Sequence, residues 1–341
     1  MDNKIKIGVI GVGMAWDKLH YPALTKLSDK YEIGAVCNKS PDKAENFAKS
    51  INLSPENVYT DYKELLERGD IDAVFSMVPI SENYEVAKDV LEAGKNLLAE
   101  KPIAADTQAA QELIDLEGEK QVKFMVAENF RYEEENTIIK NIIDSGKIGE
   151  VMYFVLSKSS DFKEEMKGDT FAAKDWRQHP QYEGGMLLDG GVHDIALLRF
   201  LFGDAESIYA CGRPQEEDFS PYMALSCLIK FKNGVFGQLT YNPQGTDINI
   251  PPGGFGIFGT LGNIFLESRD SGVVNINYKG GGLEQITYTP SNGYYHELLN
   301  FYNAVQNKEE IVSTPEKAKG DLDLLNALLT SAKTETMVYL N

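Results

Sequence analysis

Ile5-Lys6-Ile7-Gly8-Val9-Ile10-Gly11-Val12-Gly13-Met14-Ala15-Trp16 is a short apolar run that breaks into glycines. A run with no polar face reads as a strand buried on both sides. Gly11 permits a tight turn after it, and Gly13 lets backbone approach a pyrophosphate at the N-terminus of a following helix. Similar runs recur at 33–37, 73–78, 96–99 and 122–126, separated by amphipathic stretches at 19–27, 41–50, 61–67, 83–93 and 107–120. Strand alternating with helix predicts a parallel, doubly wound sheet. The third glycine position holds Trp16. That side chain predicts a helix that starts later, or sits farther out, than the motif normally allows.

Past residue 128 the pattern changes. One helix is expected at 133–145, then strands at 151–157, 207–212, 224–231, 235–241, 264–267, 273–278 and 285–289. Asn233-Gly234 signals a hairpin. Helices are expected at 192–202 and from Tyr294 onward. The fold class is therefore α/β. A doubly wound dinucleotide-binding domain spans 1–128, and an α+β domain with a large, mainly antiparallel open sheet spans 129–341.

The chain has 341 residues with 33 basic and 52 acidic side chains, a net charge of −19 that argues against nucleic acid as a partner. No run is long enough to cross a bilayer, and no secretory leader pattern is evident. Cys37, Cys211 and Cys227 each lie in an apolar stretch, so buried free thiols and a reducing cytoplasm are expected.

The second strand ends in Ala35-Val36-Cys37-Asn38-Lys39-Ser40, where NAD-binding turns usually carry a carboxylate for the ribose 2′-hydroxyl. A carboxylate would repel a 2′-phosphate by about 4 kcal/mol at ~4 Å and an effective dielectric of ~20. Asn38 removes that repulsion and Lys39 adds a cation, which favours NADP over NAD.

Two further motifs carry chemistry. Glu100-Lys101-Pro102 follows an apolar strand-like run, so Lys101 lies at the carboxyl end of a parallel strand, where open α/β sheets bind ligands. Its ammonium can polarise a carbonyl or lower the pKa of a hydroxyl, and Pro102 constrains the backbone, either as a trans or a cis peptide. Gly184-Gly185-Met186-Leu187-Leu188-Asp189-Gly190-Gly191-Val192-His193 places Asp189 and His193 one helical turn apart. Two readings stand side by side: a general base oriented by a carboxylate, or a capping aspartate beside a core histidine. A metal held by His179, Asp189 and His193 would use legal ligands, but the spacing matches no zinc motif, and no metal is expected.

On these residues the chain resembles the Gfo/Idh/MocA family, the glucose–fructose oxidoreductase and inositol 2-dehydrogenase group. The likeness also covers His20-Tyr21-Pro22-Ala23-Leu24, Leu91 to Lys95, Asn129-Phe130-Arg131, Ser145 to Glu150, Trp176-Arg177, Gly259 to Gly262 and Pro315 to Tyr339. The resemblance implies a Rossmann domain, and hydride transfer between nicotinamide and a hydroxyl-bearing carbon of a sugar, cyclitol or polyol. It implies Lys101, Asp189 and His193 as the catalytic set. It implies cofactor contacts from Gly11, Gly13, Met14, Ala15, Asn38, Lys39, Val78, Pro79, Asn83, Glu100, Lys101, Asn129, Trp176, Arg177 and Tyr294. It implies homodimers or homotetramers. Trp16 and Asn83, where many members carry histidine, depart from the pattern. Substrate selectivity is expected from the loops at 161–182 and 241–254, with Arg131 or Arg177 available to a carboxylate. The alternatives are NAD-assisted opening of a glycosidic bond and a non-catalytic NAD(P) sensor.

Overall fold

Residues 4–242 and 254–340 are described by the computed structural model of the chain, which divides into two units. The first holds residues 1–129 and 294–319, and the second holds 130–293 and 320–341.

The first unit's sheet has strands β1 (Ile5–Ile10), β2 (Tyr31–Cys37), β3 (Val58–Tyr59), β4 (Ala73–Ser76), β5 (Asn96–Glu100) and β6 (Phe124–Ala127). Their order is β3-β2-β1-β4-β5-β6, and every pairing is parallel. Ile7, Val9, Val74, Phe75, Leu97, Leu98 and Met125 are fully buried, as befits strands covered on both faces. β3 has too few residues to show a period in the sequence. The order reverses between β1 and β4, where doubly wound sheets open a crevice at their strand ends.

Trp16 does not delay the first helix, which corrects the expectation. Helix begins at Met14, directly after Gly13. The chain then widens into a π-turn over Trp16–His20, with the Tyr21 N–H donating to the Trp16 carbonyl. The indole is fully buried between Tyr21 and Phe47, with ring centroids 5.7 Å away in each case. The wider turn takes the bulk that a third glycine would have avoided.

Residues 294–319, expected with the second domain, pack with the first unit. The Tyr31 hydroxyl donates to the Leu298 carbonyl at 2.6 Å. Phe301 meets Phe75 edge-on at 5.6 Å, and Tyr302 meets Tyr31 at 5.7 Å. Periodicity reveals that a helix has an apolar face, but not which sheet that face covers.

The second unit's sheet has nine strands: β7 (Val151–Ser159), β8 (Ala205–Pro214), β9 (Tyr222–Phe231), β10 (Phe236–Asn242), β11 (Gly254–Gly259), β12 (Gly262–Leu266), β13 (Val273–Tyr278), β14 (Leu283–Thr287) and β15 (Val338–Tyr339). They run in the order β14-β13-β12-β11-β7-β10-β9-β8-β15. All pairs are antiparallel except β7 with β10. The Asn233-Gly234 hairpin joins β9 to β10, but only Gly234 takes positive φ (+92°), and Asn233 Oδ1 accepts the Val235 N–H. A two-residue type I′ turn would need positive φ at both residues.

Alternate residues face opposite sides. Phe154, Leu156, Cys227, Ile229, Leu239 and Tyr241 are buried, whereas Tyr153, Tyr209, Leu228 and Phe236 are exposed. The same alternation corrects one thiol: Cys211 is exposed, while Cys37 and Cys227 are buried. Among the described residues no helix is long and apolar enough to cross a membrane.

Candidate active site

In the first unit the glycine turn and Lys101 both stand at the carboxyl edge of the sheet. Gly11 has φ +94°, and a Cβ there would lie 2.5 Å from the Met77 carbonyl oxygen, so only glycine fits. A Cβ on Gly13 would meet nothing within 4 Å. That open cradle, at the start of a helix, is the space a pyrophosphate needs. Met14 and Ala15 begin the helix half-buried, and Val78 and Pro79 follow β4, also half-buried.

Asn38 braces the turn itself. Its Oδ1 accepts the Val12 N–H at 3.2 Å and its Nδ2 donates to the Ser40 carbonyl at 3.2 Å. Lys39 is largely exposed and pairs with Glu82 at 2.8 Å. The Glu82 carboxylate opposes the charge argument for NADP, and residue spacing alone does not reveal it.

The Lys101–Pro102 peptide is cis. Asn83, expected at the cofactor, is 1% exposed and clamps this turn. Its Nδ2 donates to the carbonyls of Glu100 at 2.8 Å and Pro102 at 2.9 Å. Glu100 Oε2 accepts the Lys101 N–H, and its Oε1 lies 2.8 Å from His20 Nε2. Asn129 is buried in the turn after β6, and Tyr294 packs edge-on against His20 at 5.0 Å.

In the second unit Asp189 ends a short helix, Met186–Asp189, and His193 lies one turn on in the helix Gly191–Phe202. Gly185 has φ +52°, and a Cβ there would lie 2.3 Å from the Phe219 carbonyl oxygen. The capping reading of Asp189 is corrected: Gly190 holds that position, with no side-chain cap. Asp189 instead accepts two hydrogen bonds from Arg177, through Nε and Nη2. Arg177, expected at the cofactor, spends its guanidinium here and stacks on Trp176 at 4.3 Å. His179 pairs with Asp218 at the surface, and no group of metal-ligating side chains occurs among the described residues. Arg131 is also committed: it is buried, donates to the Ala196 carbonyl at 3.0 Å and pairs with Asp321.

Several neighbours escaped the sequence. Phe130 stacks on His193 with centroids 4.6 Å apart and planes at 16°, and Arg269 lies 4.1 Å from the same phenyl centroid. Burial, with the charge of Asp189, pushes the Tyr182 hydroxyl up. Asp194, next to His193, pairs with Lys158 at 3.2 Å and accepts from Tyr241. Lys158 and Tyr241 are register partners on β7 and β10, so both point to one face. Adjacency to His193 was the only available signal for Asp194; the others arrive through tertiary packing.

A cavity of about 220 Å³ opens inside this unit. Leu156, Phe255 and Leu266, register partners across β7, β11 and β12, line it with Phe130, while Lys158, Glu267 and Arg269 add charge. The 241–254 loop expected to shape selectivity lies largely outside the described residues.

Arg269 is held by Glu133 at 2.8 Å and faces Glu135 at 3.7 Å. Burial pushes the Glu135 carboxyl up to about 7, with Glu133 adding and Arg269 opposing. A carboxyl that holds its proton more tightly when folded stabilises the fold at low pH. That contribution is lost as pH rises from the ordinary carboxylate range through about 7. Glu135→Gln should therefore be more stable than the parent by about 2 kcal/mol near pH 8, and no more stable near pH 4.5. Urea midpoints at the two pH values check this; a pH-independent gap would remove Glu135 as the titrating group.

Two family models cover most of the chain. "Oxidoreductase family, NAD-binding Rossmann fold" matches residues 5–128, and "GFO/IDH/MocA C-terminal domain" matches residues 137–265. The chain belongs to the Gfo/Idh/MocA family. It is an NAD(P)-binding oxidoreductase on a Rossmann-type unit followed by a mainly antiparallel sheet. A dTDP-3,4-didehydro-2,6-dideoxy-alpha-D-glucose 3-reductase of Actinomadura kijaniata is 32% identical over 71% of this chain and 69% of its own length. An uncharacterised protein of Saccharomyces cerevisiae is 29% identical over 96% of each chain. The solved structure of a levoglucosan dehydrogenase in complex with NADH superposes with a TM-score of 0.87, covering 99% of this chain and 100% of that one, at 20% identity.

Proposed function

We propose that this Gfo/Idh/MocA oxidoreductase transfers hydride between nicotinamide and a hydroxyl-bearing carbon of an uncharged sugar or polyol. The observation that carries it is Lys101 at the carboxyl end of β5, on the same sheet edge as the open cradle at Gly13. When bound, the nicotinamide supplies the hydride acceptor or donor. In oxidation His193 takes the hydroxyl proton, and Lys101 stabilises the alkoxide charge as it develops. Asp189, held by Arg177, supports the imidazolium from the preceding turn. Phe130, which stacks on His193, also lines the cavity; a substrate that extends past it meets Lys158 and Arg269 already paired with buried carboxylates, and Glu267, which together disfavour an anion. The cavity's apolar residues suit the C–H face of a sugar ring.

NADP is the proposed preference. No carboxylate ends β2, and Lys39 is exposed in its pair with Glu82, where a surface ion pair contributes little and is readily exchanged for a 2′-phosphate. Glu82→Gln should raise the NADPH-to-NADH affinity ratio about threefold, and Lys39→Ala should lower it about tenfold. Fluorescence titration with both nucleotides reads the ratio; an unchanged ratio in both variants assigns the preference elsewhere. A screen of neutral sugars and polyols, followed by nicotinamide absorbance, then tests the reaction. Turnover only on sugar acids or nucleotide sugars would overturn the uncharged-substrate reading.

Assembly as a homodimer or homotetramer is proposed on the outer sheet face. Tyr153 stacks on Phe258 at 4.4 Å beside Phe236, an uncharged stripe that another copy covers without desolvating charge. Sedimentation velocity distinguishes it from a monomer.

A further inference from the structure

His20 is fully buried at the end of the π-turn and lies between two carboxylates from distant parts of the first unit. Its Nε2 is 2.8 Å from Glu100 Oε1 on β5, and its Nδ1 is 3.8 Å from Glu297 Oε1 on the helix Gly293–Val305. Glu297 is also fully buried. Tyr294 meets the ring edge-on at 5.0 Å. The second oxygen of Glu100 accepts the Lys101 N–H at 3.2 Å. On the far side of the same turn, Asn83 holds the carbonyls of Glu100 and Pro102.

These contacts form a chain from the glycine-turn helix to the reactive lysine. Trp16 shapes the π-turn, and the turn presents His20. A carboxylate with one oxygen tied cannot rotate freely, so its other oxygen keeps a fixed direction toward the Lys101 peptide. A buried donor to a carboxylate is also costly to lose, since the carboxylate then keeps a desolvated charge.

We propose that His20 is a positioning residue for Lys101: its imidazole, backed by Glu297, holds Glu100 so that Glu100 fixes the Lys101 main chain. This rests on the reading that Lys101 acts on the substrate oxygen. His20→Gln keeps a donor at the reach of Nε2, whereas His20→Leu removes it at similar bulk. With whichever sugar or polyol the screen identifies, His20→Leu should lower kcat about twentyfold, with KM and NADPH affinity within about twofold of the parent. His20→Gln should stay within about threefold. In a Lys101→Met background, His20→Leu should change the residual rate less than about twofold, because both act through one group.

A second readout does not depend on turnover. Trace acetylation of the whole protein, with Lys101 labelling measured by mass spectrometry against exposed Lys49, should change at least about threefold in His20→Leu and return in His20→Gln. Unchanged Lys101 labelling, equal losses in the two variants, or a His20→Leu effect that persists without Lys101 would overturn the proposal. A parent protein that turns over no sugar or polyol removes the proposed function, and the labelling result still decides the role of His20. If His20→Leu does not fold, His20→Asn, whose amide falls short of Glu100, replaces it in every comparison.

Discussion

Lys101→Ala lowers turnover about a thousandfold, equivalent to about 4 kcal/mol of transition-state stabilisation, while NADPH binding changes little. The expectation follows from its position. Lys101 directly follows β5, on the same sheet edge as the β1 glycine turn where the proposed function seats the cofactor's pyrophosphate. Developing negative charge on an alkoxide is most costly where water is excluded, so one fixed cation there has a large effect. His193→Ala lowers turnover by about 10²–10⁴-fold, the usual range for a general base. The double variant is expected to fall little below the worse single one, because two groups serving one proton and one oxygen act as a unit. Stopped-flow nicotinamide absorbance with saturating nucleotide checks all three. Normal turnover in both single variants would end this mechanism, whereas a parent that binds nucleotide but turns over no sugar or polyol would restore the sensor reading of the fold.

Asp321→Asn destabilises the second unit by about 3–5 kcal/mol. Asp321 is buried and joins two arginines, Arg131 through Oδ2 and Arg199 through Oδ1 at 2.7 Å. Arg199 also reaches Asp204 at 2.7 Å. Gly320 makes room for that guanidinium, since a Cβ there would lie 2.3 Å from Arg199 Nη2. Removing the shared carboxylate leaves Arg131 buried with its charge uncompensated. Urea unfolding followed by tryptophan fluorescence in a Trp16→Phe background, which leaves Trp176 as the emitter, reports on this unit. A loss below about 1 kcal/mol would mean that water enters the cluster and replaces the carboxylate. Nucleotide affinity in the folded state should hardly move, because the glycine turn belongs to the other unit.

Some of this was legible in the residues alone. Alternating apolar runs and amphipathic stretches define the parallel sheet, because strands buried on both faces leave no polar face to conceal them. Gly11, Gly13 and Lys101 announced the sheet edge, since only a strand end followed by glycine or by Glu-Lys-Pro places those groups at a ligand. Asp189 and His193 were visible because helical spacing is local. Tertiary structure alone decided the rest, for one physical reason: side-chain partners are chosen in space, across separations that no period in the chain records. Trp16 did not displace the helix, because Tyr21 and Phe47 enclose it and a π-turn takes its bulk. Asn83 went under the Glu100-Lys101-Pro102 turn, because two carbonyls there needed donors. Arg177 went to Asp189, Glu82 to Lys39, and residues 294–319 to the first sheet, each drawn by a charge or an apolar face that folding brought near.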